Sequence, residues 1–139
     1  MAGCFMTSPF EKLAKELETH IQSAYTDGVT VDQAEKLAAR FLHAQMQLSE
    51  ALRVADLDAR MRKSGLKAVR ATVYLEGATK GDKKPSDVLL QAQVDTHEVV
   101  QTEADAYEKA EVDKDNIERY YNIAREGHIY FRALAKGGF

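Results

Sequence analysis

The sequence predicts an all-α protein built around two long helices, and three observations lead to that prediction. Residues of high helix propensity fill nearly every window of the chain, whereas its 139 residues include two prolines and no tryptophan. Capping signals for helix starts recur along the chain. Apolar residues follow one another at spacings of three and four, which is the period of a helix face. The length is that of one domain, which we expect to span residues 1–139.

The first helix is predicted to start at Ser8-Pro9-Phe10-Glu11. Serine is a preferred N-cap, proline suits the first helical position, and the glutamate three residues on completes a capping box. The apolar stripe of this helix comprises Phe10, Leu13, Leu17, Ile21 and Tyr25. Asp27-Gly28 is its C-terminal signal. Residues 1–7 show no periodicity, and we expect them to be disordered.

The second helix is predicted over residues 30–76, from the capping box at Thr30 and Gln33 to a C-cap at Gly77. Gly65 lies inside it, but glycine costs only about 1 kcal/mol against alanine in a helix. A heptad seam follows the alternating spacings of a coiled coil: Ala34, Ala38, Phe41, Gln45, Leu48, Leu52, Ala55 and Ala59. At about 1.5 Å per residue the helix would be roughly 70 Å long. A chain of this size does not bury such a helix alone, so a homo-oligomer is predicted.

The rest of the chain predicts a loop and two further helices. Residues 77–85 are expected to form a flexible basic loop, because glycine, lysine and proline alternate there. Ser86 is predicted to cap a short helix. A capping box at Asp95 and Glu98 then opens a last helix, predicted over residues 97–136 with Gly137-Gly138 as its stop signal. The two long helices are expected to pair as an extended hairpin.

Positive charge is concentrated in one segment of this otherwise acidic chain. Residues 53–84 hold nine Lys/Arg against four Asp/Glu, a net charge of +5 in a chain of net charge −3. Four of these cations are spaced at +3, +4 and +3, on one face of the predicted helix: Arg60, Lys63, Lys67 and Arg70, here called the basic ridge. A second stripe lies on a different face and is expected to be buried: Leu57, Met61, Ala68, Ala71 and Leu75.

The basic ridge has three interpretations. It is suited to neutralise the phosphates of a nucleic acid without reading its sequence. It also matches an acidic stripe of the same spacing on the last helix: Glu108, Glu111, Asp115 and Glu118. Such pairing, within or between subunits, would make the chain a structural adaptor, and a solvated face is the third interpretation. The loop lysines Lys80, Lys83 and Lys84 have no such competitor, and Tyr74 is the base-stacking candidate beside the ridge.

Other chemistry is weakly represented, so we expect a protein that is not an enzyme and has no cofactor. The acidic stripe supplies half of the paired carboxylate motif of Mg²⁺-dependent all-α nucleotide pyrophosphohydrolases. The four histidines lack metal-ligand spacing, and no Gly-rich phosphate loop or nucleophile motif occurs. The last helix also interleaves arginines with aromatic residues that suit either base stacking or a core: Tyr120, Tyr121, Tyr130 and Phe131.

The cysteine count and the hydropathy pattern bear on localisation. Cys4 is the one cysteine, which rules out an internal disulfide and fits a reducing compartment. Its surroundings lack the apolar region of a signal peptide, and no run of about 18 apolar residues occurs. A cytoplasmic protein without a membrane partner is therefore expected.

The order of these features over residues 27–138 resembles the phage recombination mediators of the UvsY type. The similar stretches are DGVTVDQAEKLAARFL, MRKSGLKAVRATVYLEG, KPSDVLLQAQVD and the closing FRALAKG. The resemblance implies a ring-like homo-oligomer in the host cytoplasm that binds single-stranded DNA. It further implies that the protein loads a RecA-type recombinase in place of a single-strand-binding protein. The DNA-contacting segment of that family corresponds here to Lys63, Lys67 and Arg70, with Arg60 one turn earlier.

Overall fold

The computed structural model describes residues 9–81 and 83–137, which form four helices: α1 (Pro9–Asp27), α2 (Val31–Thr79), α3 (Asp87–Thr96) and α4 (Glu98–Ala135). The all-α prediction is confirmed, since those residues include no strand. Two helices are long, with 49 residues in α2 and 38 in α4. None of these helices is long and apolar enough to cross a membrane. The Ser8 cap, the disorder of residues 1–7 and the Gly138 signal lie outside the described residues.

Several predicted helix ends are confirmed by their hydrogen bonds. The Thr30 N–H donates to Gln33 Oε1 at 3.0 Å and the Gln33 N–H donates to Thr30 Oγ1 at 3.2 Å, the reciprocal pattern of a capping box. Gly28 follows α1 with φ 77°, a left-handed conformation that glycine adopts without strain. Ser86 caps α3, because its Oγ accepts a bond from the Leu89 N–H.

The prediction that α2 stops at Gly77 is wrong. The helix continues through Gly77 to Thr79, and the first positive φ after it is 105° at Gly81. Gly77 has a packing role instead, because a Cβ placed there would lie 3.0 Å from Leu90 Cδ2. The predicted loop of residues 77–85 is correspondingly shortened to the residues between α2 and α3.

The start of α4 also differs from its prediction. Asp95 was expected to open the capping box, but it lies within α3. The residue between the two helices is His97, whose Nδ1 accepts a bond from the Val99 N–H at 3.2 Å. An imidazole nitrogen therefore satisfies one of the free amides at the start of the helix.

The chain forms two compact units, and α2 and α4 contribute to both. Unit 1 contains the described residues of Met1–Arg53 and Asp115–Phe139, and unit 2 is Val54–Lys114. In unit 1, α1 and the first part of α2 pack with the last part of α4. In unit 2, the remaining parts of α2 and α4 pack with α3.

The core of unit 1 is centred on two fully buried phenylalanines. The rings of Phe41 and Phe131 lie 5.3 Å apart and are tilted by 44°. Leu17 from α1 and Leu48 from α2 complete this centre, and both are fully buried. Of the other residues in the predicted α1 stripe, Phe10, Leu13 and Ile21 are partly buried against this cluster, whereas Tyr25 is 79% exposed.

Gly127 permits the closest approach between helices in unit 1. A Cβ on this residue would lie 1.8 Å from Cε1 of Phe41, far inside van der Waals contact. The same region is held by two polar contacts. His128 Nδ1 donates to the Ala38 carbonyl at 3.0 Å, and Gln45 Nε2 donates to the Tyr121 hydroxyl at 3.3 Å. The sequence numbers of these pairs run in opposite directions, so α2 and α4 are antiparallel here.

Unit 2 has a smaller core, in which α3 is anchored by Leu90 and Val94. Between α2 and α4 the buried residues are small, with Ala59 2% and Ala110 6% exposed. A Cβ on Gly65 would lie 3.7 Å from Glu103 Oε2, which is ordinary contact. Small residues at these positions let the two helices lie close together.

Candidate nucleic-acid interface

Two lysines form the accessible part of the basic ridge. Lys63 and Lys67 are one helical turn apart on α2, and both side chains are exposed. Within residues 54–81 and 83–114, neither forms an ion pair or a side-chain hydrogen bond. A turn of α-helix places residues four apart on the same face. The pair is therefore a small cationic surface with both charges available to a ligand.

Arg60, the first residue of the ridge, is engaged by its own helix. Its Nε lies 3.1 Å from Asp56 Oδ2, one turn earlier. The arginine side chain is 77% exposed, so this pair is solvated and contributes little to stability. Because a solvated pair exchanges readily, Arg60 can contact a polyanion after releasing Asp56.

Arg70 and Tyr74 have structural partners on or beside α3. Arg70 Nη2 lies 2.6 Å from Asp95 Oδ1, and the Tyr74 hydroxyl donates to Asp87 Oδ1 at 2.6 Å. The hydrogen bond to Asp87 raises the pKa of the Tyr74 phenol above its ordinary value, because the neutral phenol is the donor. The two contacts tie both ends of the short helix α3 to α2. Sequence spacing did not reveal these roles, since the partners lie 25 and 13 residues away.

The loop lysines complete the predicted set. Lys80 directly follows α2, Lys83 and Lys84 precede Pro85, and all three side chains are exposed. Within the described parts of unit 2, none of the three is in an ion pair. The positive φ of Gly81 turns the chain between them. These cations are thus as accessible as the pair on the ridge.

The acidic stripe does not neutralise the ridge within unit 2. Glu111 lies 3.6 Å from Lys114, which in turn lies 3.9 Å from Asp56. Glu108 forms no ion pair with a described residue of this unit. The ridge arginines pair instead with Asp56 and Asp95, neither of which belongs to the acidic stripe.

The aromatic residues of the last helix belong to the core of unit 1. Phe131 is fully buried, Tyr120 is 9% exposed, and Tyr121 and Tyr130 pack against the same cluster. Arg119 lies over the ring of Tyr120 at 5.3 Å. These aromatic residues therefore form part of the core of unit 1 and not a base-stacking surface.

Among the described residues, no three His, Cys, Asp or Glu side chains come together in a group that could hold a metal ion. Beside the ridge, a groove of about 430 Å³ is lined by Arg70, Ala71, Tyr74, Leu75, Gln91 and Val94.

Comparison of the chain with protein families, with curated proteins and with solved structures gives no match.

Proposed function

We propose that this protein binds single-stranded DNA through the lysines of unit 2 and acts as a recombination mediator of the UvsY type. The observation that carries the proposal is the pair Lys63 and Lys67, exposed and without an ion-pair partner among the described residues of that unit. Phosphate contacts from lysine give affinity without sequence discrimination. A mediator acts on DNA of any sequence, so contacts of this kind fit the role.

The loop lysines extend the proposed contact, and Arg60 joins it at the other end. Lys80, Lys83 and Lys84 are exposed and lie on the same unit as the ridge. Arg70 and Tyr74 take a supporting role in this proposal, because their polar groups are already bonded to α3. The resemblance of residues 27–138 to UvsY-type mediators supplies the further expectation of a RecA-type recombinase as partner.

A salt titration of oligonucleotide binding tests the proposal. For single strands the logarithm of affinity falls with the logarithm of salt concentration by about 0.7 per phosphate neutralised. Replacing Lys63 and Lys67 by Ala removes two contacts, so this slope is expected to decrease in magnitude by about 1.4. A matched control replaces Lys12 and Lys109 by Ala, which removes the same charge from exposed positions of α1 and α4. The control is expected to keep the wild-type slope.

The outcome separates the mediator from the structural adaptor. If the wild-type chain binds no oligonucleotide at low salt, or if the ridge and control variants bind with equal slopes, the proposal is refuted. If the ridge variant instead loses self-association and shows no DNA effect, the ridge pairs with acidic residues of another subunit. Sedimentation of both variants without DNA is measured in the same experiment.

A further inference from the structure

The outward face of α2 in unit 2 carries a heptad seam that its own unit leaves open. With Val54 as position a, the core positions a and d are Val54, Leu57, Met61, Ser64, Ala68, Ala71, Leu75 and Ala78. The four large side chains among these eight positions are more than half exposed: Val54 53%, Leu57 52%, Met61 65% and Leu75 62%. The sequence predicts this stripe to be buried, and that prediction is wrong for the single chain. The buried side of the helix is instead the opposite one, with Ala59 at 2%.

Exposed apolar residues at heptad spacing favour another helix as their partner. Scattered exposed residues are normal on a monomer, but a contiguous apolar strip of this kind marks an interaction site. The seam continues for more than three heptads, a length typical of a coiled-coil contact. The occupant it fits is a helix that presents apolar residues at the same spacing.

The same face of a second copy meets this requirement when the two helices are antiparallel. Antiparallel packing sets each a position against a d position of the other copy. Centring the pair between Ser64 and Ala68 gives four kinds of layer: Val54 with Ala78, Leu57 with Leu75, Met61 with Ala71, and Ser64 with Ala68. Two of the four place a larger residue against a smaller one, so the spacing between helices varies less than in a parallel pair. A parallel pair in register would set Met61 against itself and Ala68 against itself, which alternates wide and narrow layers.

We propose that two copies of this chain associate through the outward face of α2, antiparallel and related by a twofold axis. A twofold pairing uses the same patch on both copies and is closed, so every apolar position finds its complement. The proposal does not depend on DNA binding. It gives a surface to the homo-oligomer that the sequence predicts.

The size of the face determines how tight this association is. Residues 54–78 extend over roughly 37 Å of helix, and a helix is about 10 Å wide, so the footprint is roughly 370 Å² per copy. Stable complexes bury about 800 Å² per partner. Grooves of about 430 and 360 Å³ flank the face, one sharing Ala71 and Leu75 with it and the other Ala68. They add contact area, and the association is expected to be reversible and to depend on concentration.

Charge on the edge of the face gives the association a distinct salt dependence. Arg60 and Lys67 occupy g positions, which lie on the same edge in an antiparallel pair. In the register centred between Ser64 and Ala68, the Lys67 side chains of the two copies lie beside each other on this edge, and their repulsion weakens as salt screens it. Self-association is therefore expected to strengthen with salt, whereas phosphate binding by the same residues weakens.

Sedimentation of the full chain without nucleic acid tests the interface. The Met61→Glu/Leu75→Glu variant introduces two charges at positions already exposed in the single chain, so folding is expected to be unchanged and dimer formation lost. Val112→Glu is the matched control, since this α4 residue is 53% exposed and lies outside the face. Circular dichroism checks the fold of each variant. A wild-type chain that stays monomeric at near-millimolar concentration, or a Met61→Glu/Leu75→Glu variant that associates like the wild type, overturns the proposal.

Disulfide trapping tests the antiparallel register separately. In a Cys4→Ser background, Met61→Cys/Ala71→Cys is expected to form a covalent dimer under mild oxidation. The two positions are about 15 Å apart along one helix, too far for a bond within the chain. Met61→Cys alone is expected to remain monomeric. If Met61→Cys alone forms the covalent dimer and Met61→Cys/Ala71→Cys forms no more of it, the antiparallel arrangement is contradicted.

Discussion

Replacing Gly127 by Ala isolates the effect of close helix packing on stability. Alanine is the better helix former by about 1 kcal/mol, so propensity alone predicts a more stable protein. The packing of unit 1 predicts the reverse, because the added Cβ would lie 1.8 Å from Phe41 Cε1 and 1.9 Å from Phe41 Cδ1. The Phe41 ring is fully buried and cannot swing into solvent. The sign of the measured change therefore decides which effect dominates.

The magnitude follows from the displacement that the ring must make. Carbon atoms in contact lie about 3.5–4.0 Å apart, so the ring must move by nearly 2 Å or the helices must separate. Phe131 and Leu17 belong to the same closely packed cluster and oppose the movement. Overpacking of this kind costs about 3 kcal/mol, at the upper end of the usual range. Subtracting the propensity gain leaves a loss of about 2 kcal/mol in the free energy of unfolding.

Denaturant titration at one protein concentration measures this change, with helix content as the signal. Gly65→Ala is the matched control, because Gly65 is also inside a long helix and a Cβ there meets only Glu103 Oε2 at 3.7 Å. The control is expected to stabilise the protein by up to about 1 kcal/mol. In a Phe41→Leu background the smaller side chain leaves room for the Cβ, and the cost of Gly127→Ala is expected to shrink. A Gly127→Ala protein as stable as the wild type would refute the packing argument.

Three further predictions concern polar contacts. Hydrogen bonds from Arg40 lower the pKa of Glu16, so the pair stabilises the fold above the ordinary glutamate pKa and loses this effect as pH falls through the lowered one. Both side chains are over 40% exposed, so Arg40→Met is expected to lower the free energy of unfolding by at most about 1 kcal/mol at neutral pH and by less near pH 3. Urea titrations at the two pH values measure this difference, and equal losses at both would contradict the prediction. Ser86→Ala removes the α3 cap and is expected to cost about 1 kcal/mol, seen as faster hydrogen exchange in α3 while α1 stays unchanged. Asp87→Asn is expected to lower the raised pKa of Tyr74 towards its ordinary value in an ultraviolet titration, with Tyr74→Phe identifying this phenol among the six tyrosines. The hydrogen bond between Tyr74 and Asp87 is present below the ordinary tyrosine pKa and is lost as pH rises through the raised one. An unchanged titration in Asp87→Asn would exclude this hydrogen bond.

The helices and their principal ends could be predicted from local sequence, because capping and periodicity are short-range effects. The box at Thr30 and Gln33, the cap at Ser86 and the uninterrupted passage of α2 through Gly65 all follow from neighbours within one turn. Gly77 was misassigned because a glycine at a helix end and a glycine under a packed side chain look the same in the sequence. The difference depends on Leu90 of α3, which lies 13 positions further along the chain.

The candidate interface could be predicted only in part. The spacing of the basic ridge was evident, but the engagement of Arg70 by Asp95 and of Tyr74 by Asp87 depends on how α3 folds back on α2. The stripe of Leu57, Met61 and Leu75 was wrongly expected to face inward, since this stripe and the one that includes Ala59 both have helical period. The face of α2 that is buried in unit 2 carries small residues such as Ala59, which let α4 approach closely.

The sequence by itself determined that this protein is helical, where α2 and α3 begin, and that its positive charge collects around one segment of α2. These properties depend on the propensity and spacing of residues a few positions apart. Only the tertiary structure decided which charges are already paired and which apolar face remains open. Both depend on contacts between distant segments, where a carboxylate or an alanine on one helix meets its partner on another. Lys63 and Lys67 stay available in unit 2 because α3 brings Asp95 to Arg70 and no acidic residue to them.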